Sequence, residues 1–175
     1  MSKSYNTANI GEWASTLVCG EEILLSGVVY TARDAAHKRI KALIDEGKPL
    51  PFELEGAVIY YAGPTPEKPG MPIGSCGPTT STRMDPFVSE FMDLGMKGMV
   101  GKGNRSQDVI DAIVRNKGVY FCAIGGAGAL AAKCVKKLDV IAFEDLGCES
   151  VKRLEIENFP LYVAIDAEGN TLFSK

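Results

Sequence analysis

The chain has 175 residues, 46% of them hydrophobic and 23% charged, with a net charge of −3. That length suits one well-buried core and is short for two, so residues 1–175 are expected to form a single domain. The acidic balance excludes a nucleic-acid binder driven by counterion release, and no apolar run reaches the ~20 residues needed to span a bilayer.

In chain order, Glu22 to Tyr30 reads as a strand, and so does Ala57 to Ala62. Between them Ala36, Ile40, Leu43 and Ile44 fall at helical spacing, with Gly47 as a stop. Residues 63–78 are too rich in proline and glycine for regular structure, and a long loop inside a compact domain is more often functional than idle. A helix is predicted over Phe87–Leu94, then a short buried strand from Gly98 into the turn ending at Gly103. Ser106 to Asn116 forms the next helix, with Val109, Ile110, Ile113 and Val114 on one face and Gly118 past its end. Val119–Ile124 is a strand, Gly125 to Gly128 a turn, and Ala129–Val135 a small-residue helix. Late strands are expected near Val140–Phe143 and Leu161–Ile165, with Glu168-Gly-Asn170 turning a hairpin into Thr171–Phe173. Alternating strands and helices predict an α/β domain with a mixed sheet, without internal repeats or a dividing linker.

The polar start Met-Ser-Lys-Ser-Tyr-Asn has no hydrophobic signal segment, which makes the cytoplasm the expected compartment. The five cysteines are scattered, with no Cys-x-x-Cys pair, and there is one histidine. Reduced thiols packed as small hydrophobes are therefore expected, without a disulfide framework or a private zinc site.

The residues left over from packing point to an anion. Gly77-Pro-Thr-Thr-Ser-Thr-Arg-Met-Asp85 places four consecutive hydroxyls and a guanidinium at the start of a helix, where free N–H groups also gather. Thr82 and Asp85 stand at capping-box spacing, and so do Thr31 and Asp34. Arg33 and His37 then lie one helical turn apart, on a face distinct from the apolar stripe, where a strand hands over to a helix. Lys102 sits between Gly101 and Gly103, free of crowding. Neither a P-loop nor a dinucleotide glycine fingerprint is present. Arg33, His37, Thr79, Thr80, Arg83 and Lys102 form a surplus of cations and hydroxyls that suits a dicarboxylate better than a single carboxylate.

Four stretches, Thr31 to Arg39, Gly77 to Asp85, Gly101 to Ser106 and Ala123 to Gly126, resemble the class I fumarate hydratases. More narrowly they resemble the C-terminal domain of those enzymes, which in many bacteria and archaea is a separate β subunit. The resemblance runs from about Ile23 to Phe173 and implies the swivelling β/β/α fold. It also implies a partner α subunit whose three cysteines hold a [4Fe–4S] cluster with one open iron, a Lewis acid toward the C2 oxygen of malate, and an α2β2 assembly. In that pattern Arg33, Arg83 and Lys102 match the groups that bind the carboxylates of malate or fumarate. Thr79 matches a threonine proposed as the base for the C3 proton, with Thr80 beside it and His37 as a further candidate. L(+)-tartrate dehydratase shares the subunit architecture and a C4 dicarboxylate substrate, so its β subunit is the alternative. A stand-alone, non-catalytic dicarboxylate-binding module is a third reading.

Overall fold

The computed structural model describes residues 2–123 and 128–173. Strand β1 (Lys3–Asn6) lies parallel to the first half of β2 (Glu22–Thr31), whose second half runs parallel to β3 (Val58–Tyr60). β3 pairs in parallel with β4 (Gly98–Gly101), and β4 with β5 (Val119–Ala123). Strand β7 (Val151–Ile165) then closes the ring, antiparallel to β5 on one side and to β2 on the other. β6 (Val135–Ala142) adds antiparallel to the first half of β7. The result is the expected α/β architecture, a mixed sheet that closes on itself.

β3, β4 and β5 read as unbroken apolar runs because both of their faces are covered. Val58, Tyr60, Val100, Val119 and Phe121 pack on one face with Trp13 and Leu25. The short helix α1 (Ile10–Trp13) contributes to that face, as does α5 (Gly128–Cys134). Ile59, Met99 and Tyr120 point the other way. There they meet α2 (Asp34–Asp45), α3 (Asp85–Asp93) and α4 (Gln107–Asn116), whose buried stripes are Ala36/Ile40, Val88/Phe91/Met92 and Val109/Ala112/Ile113. No helix among the described residues is long and apolar enough to cross a membrane.

Two expectations need correction. The late strands extend further than their apolar centres, because β7 carries Lys152, Arg153, Glu155 and Glu157 around the inward Leu154 and Ile156. α4 ends at Asn116 with Lys117 in the left-handed region (φ 54°) as its cap, and Gly118 stands past the end as expected. The expected hairpin at residues 168–170 reduces to a tight turn with a single Ile165–Thr171 bridge. β1 and α1 carry too few residues for periodicity to mark them. The glycine turn expected at 125–128 lies mostly outside the described residues.

Candidate active site

β2, β3 and β4 run in the same direction, so their carboxyl ends share one edge of the sheet. Backbone bonds extend that edge beyond the strands: the Ala32 amide donates to the Tyr60 carbonyl (3.1 Å), and the Tyr61 amide to that of Val100 (2.9 Å). The chain leaves after Tyr61, makes the loop at 63–78, and returns to the same place. Ala62 bridges Pro78, the Thr79 amide donates to the Tyr61 carbonyl (2.7 Å), and Thr80 bridges Lys102. Arg33 follows β2, Thr79 and Thr80 sit against the extension of β3, and Lys102 follows β4. Segments distant in sequence therefore stand side by side where ligands of open parallel sheets bind.

Arg33 precedes the first residue of α2 with extended backbone (φ −108°, ψ −163°). A Cβ at Gly63 would stand 3.1 Å from the Cys148 carbonyl oxygen and 3.3 Å from Arg33 Cδ, so a side chain there would crowd the arginine stem. Its Nε lies 3.8 Å from Glu149 and 4.0 Å from Asp34, beyond hydrogen-bonding reach of either carboxylate. Arg33 Nε and Asp34 Oδ1 are both buried without a hydrogen-bond partner. Unpaired buried polar atoms cost free energy, and a ligand that supplies their partners recovers it. The turn carrying Glu149 is held by Lys152, a buried lysine that sequence reasoning missed. Its ammonium donates to the Cys148 carbonyl (3.0 Å) and to the carbonyl (3.0 Å) and Oγ (2.8 Å) of Ser150.

Thr79 is half-buried, while Thr80, Arg83 and Lys102 are exposed. Arg83 sits in the short turn Ser81–Met84 that leads into α3. Among the described residues, neither Arg83 nor Lys102 pairs with an acidic side chain. The cations predicted from the sequence thus remain available to an anion.

Both expected capping boxes are absent. Thr31 lies in β2, and its hydroxyl accepts from the Lys152 amide (3.2 Å). Asp85 turns away from Thr82, accepting from Arg105 Nε and from the Ser106 amide, each at 2.7 Å.

His37 is also corrected. It is fully buried, stacked on Phe91 (5.4 Å between ring centroids, 10° between planes) and edge-on to Tyr61. Its Nδ1–H donates to the Arg33 carbonyl (2.8 Å), which leaves Nε2 a lone pair without a partner. The ring lies behind the site and reaches it through the backbone of Arg33. Burial pushes its pKa from 6.5 down to about 4. The unfolded chain takes up a proton near pH 6.5 and the folded chain only near 4. Stability from this group is complete above pH 6.5 and falls with pH through that window, by about 3 kcal/mol in all. As the single histidine of the chain, His37 gives an unambiguous imidazole signal. NMR titration is expected to find it neutral from pH 8 down to about pH 5; a midpoint near 6.5 would show that the ring is not buried as described.

Behind Thr80 and Lys102 lies a second group; its Ser81 and Asp85 belong to the hydroxyl-rich motif, while Arg105 had no role assigned from sequence. The Arg105 side chain is fully buried, and its guanidinium lies over the rings of Tyr61 (5.1 Å) and Tyr120 (4.6 Å). Its Nε donates to Asp85, Nη2 to the Tyr61 hydroxyl (3.0 Å), and Nη1 to the Met99 sulfur (3.5 Å). Beside it the Lys102 amide donates to Ser81 Oγ (3.0 Å), Ser81 Oγ–H to the Tyr120 oxygen (2.7 Å), and Tyr120 O–H to the Gly103 carbonyl (2.8 Å). The Arg-Ser pair closing the Gly101–Ser106 motif was the only signal that could have pointed here.

No group of three metal-ligating side chains converges among the described residues. Burial raises the pKa of Cys19, Cys122 and Cys134, and that of Cys76 to about 12, so thiolates are disfavoured. This donor set does not fit an iron–sulfur cluster.

Cations, two of them without acidic partners among the described residues, and hydroxyls gather beside the ends of parallel strands, backed by buried polar groups, on an α/β domain whose edge suits an anion. The chain belongs to the fumarase C-terminus family: the family model described as Fumarase C-terminus matches residues 4–175. It is 44% identical over 153 residues to Fumarate hydratase 1, mitochondrial, of Leishmania major, covering 86% of this chain and 28% of that protein. To the anaerobic Fumarate hydratase class I of Escherichia coli it is 42% identical, again over 86% of this chain and 28% of the relative. It is 39% identical to the Putative L(+)-tartrate dehydratase subunit beta of Methanocaldococcus jannaschii, over 91% of this chain and 85% of that one. The chain thus spans little more than a quarter of the fumarate hydratases, and most of the tartrate dehydratase subunit.

Proposed function

We propose that this chain, as one domain, is the β subunit of a class I hydro-lyase that interconverts (S)-malate and fumarate. The observation that carries the reading is the edge just described. Arg83 and Lys102 lack acidic partners among the described residues, and they stand with Thr79, Thr80 and the incompletely paired Arg33 on the ends of three parallel strands. Arg33, Arg83 and Lys102 bind the two carboxylates of a C4 dicarboxylate, and the threonine hydroxyls orient it. His37 supports Arg33 from behind.

Dehydration removes the poorly acidic C3 proton, sends charge into the adjacent carboxylate, and expels the C2 hydroxyl as hydroxide when the C2–C3 double bond forms. Cations already fixed at that carboxylate stabilise the charge without reorganising. Thr79 takes the C3 proton in its ionised form, and the neighbouring cations are what lower its pKa toward use. In hydration the same hydroxyl returns the proton to C3. The [4Fe–4S] cluster of this reading is held by a partner α subunit in an α2β2 complex, in the cytoplasm, because the thiols of this chain do not suit it.

Anaerobic co-purification with the α subunit, followed by cluster reconstitution and assays with malate, fumarate and L(+)-tartrate, tests the proposal. Malate and fumarate turnover is expected only with both chains present. A marked preference for tartrate would transfer the chain to the tartrate dehydratases. A chain that binds dicarboxylates alone and accepts no partner would be a binding module instead.

A further inference from the structure

We propose that Arg105 is a positioning residue that clamps the Thr79–Arg83 turn to the Lys102 turn, an inference that rests on the dicarboxylate site proposed above. Arg105 cannot itself bind the substrate. All three of its nitrogens have protein partners, Tyr61 and Tyr120 both contact its guanidinium, and its side chain is fully buried.

What it touches belongs to the supports of the binding groups. Asp85, one residue beyond the turn that carries Arg83, receives Arg105 on one oxygen and the Ser106 amide on the other. The residues just beyond Lys102 are thereby tied to the start of α3. Tyr61 receives Nη2 on its hydroxyl, while its carbonyl holds the Thr79 amide. Tyr120 lies against the guanidinium and joins Ser81 to Gly103, and Ser81 in turn holds the Lys102 amide. One planar cation thus braces the backbone on both sides of the Thr80–Lys102 bridge. The geometry requires a fork: a single donor cannot reach Asp85 and the Tyr61 hydroxyl at once in the same way.

Arg105→Lys keeps charge and most of the bulk but removes the fork. Asp85→Asn keeps one acceptor oxygen and is expected to give a smaller effect in the same direction. In the complex with the α subunit, Arg105→Lys is expected to raise KM for malate at least about tenfold, with a smaller change in kcat. In a Lys102→Ala background the same substitution should raise KM by a clearly smaller factor, because only the Thr79–Arg83 turn is then left to be misplaced. A purely structural role would multiply in full in both backgrounds, and that result would overturn the clamp.

A second readout is independent of catalysis. Hydrogen–deuterium exchange of the full-length protein should quicken about tenfold or more in peptides covering 79–84 and 101–106, while β5 stays protected. Unchanged exchange in those two peptides would also overturn the proposal. Failure of the unsubstituted complex to turn over any C4 dicarboxylate would count against the site assignment alone, since exchange still decides whether Arg105 braces the two turns.

Discussion

Thr79→Ala is expected to lower kcat for malate dehydration by about two to four decades, the usual contribution of a positioned acid–base group. KM should change little, since a neutral hydroxyl is a small part of the binding of a dianion. Arg83→Ala should behave differently: the guanidinium binds the ground state and also meets charge that grows in the transition state. Roughly 3 kcal/mol, about two decades, is expected to disappear from kcat/KM, with KM raised as well. Steady-state kinetics of the two variants in the reconstituted complex separates the roles. Near-normal turnover by Thr79→Ala would remove the proton-transfer role from this residue and leave the carboxylate cradle standing.

Gly101→Ala is the second large effect, and it acts on the scaffold. A Cβ there would overlap Ser81 Oγ and stand 2.7 Å from Tyr61 Cδ2. Neither neighbour can yield cheaply. Ser81 is held in the hydrogen-bond chain between Lys102 and Tyr120, and Tyr61 is fully buried and bonded to Arg105. Overpacking at such a point costs about 1–3 kcal/mol, and breaking the Ser81 bonds adds about 1 kcal/mol for each one lost. Denaturant melts should report a loss near the upper end of that range, together with impaired malate turnover. A midpoint equal to that of the unsubstituted protein would mean that the strand end is looser than its contacts indicate.

Most of the fold was legible because its elements are locally consistent. The helical stripes of α2, α3 and α4 recur at three to four residues, and β3 to β5 are apolar runs bounded by breakers. β7 was legible only in part, because the half paired with β6 carries charges on both faces, a buried Lys152 among them, and these hide the period-two pattern. Of the site, Thr79, Thr80, Arg83 and Lys102 stood out as polar groups with no packing duty; the described structure brings Thr79, Thr80 and Lys102 to one edge, with Arg83 in the turn that follows. His37 misled for a physical reason. A helical wheel showed only that it lay off the main apolar stripe, whereas Phe87 and Phe91 of α3 build a second wall against that side of α2. The brace around Arg105 was illegible because it joins residues from four separate stretches, and no local spacing encodes their pairing.

The loop at 63–78 is pinched shut at its base. Beyond the Ala62–Pro78 bridge, Thr65 closes it again: its amide donates to the Ser75 carbonyl (2.9 Å), and its Oγ1 accepts from the Ser75 amide (2.7 Å). Residues 66–72, before the buried Ile73, can therefore change in number without moving Thr79, and doubling such a segment costs only about 0.6 kcal/mol in closure entropy. A domain built this way can be retailored beside its edge while the edge itself stays in register. Insertions and deletions engineered between Thr65 and Ile73 are thus the natural route to a new preference among related diacids.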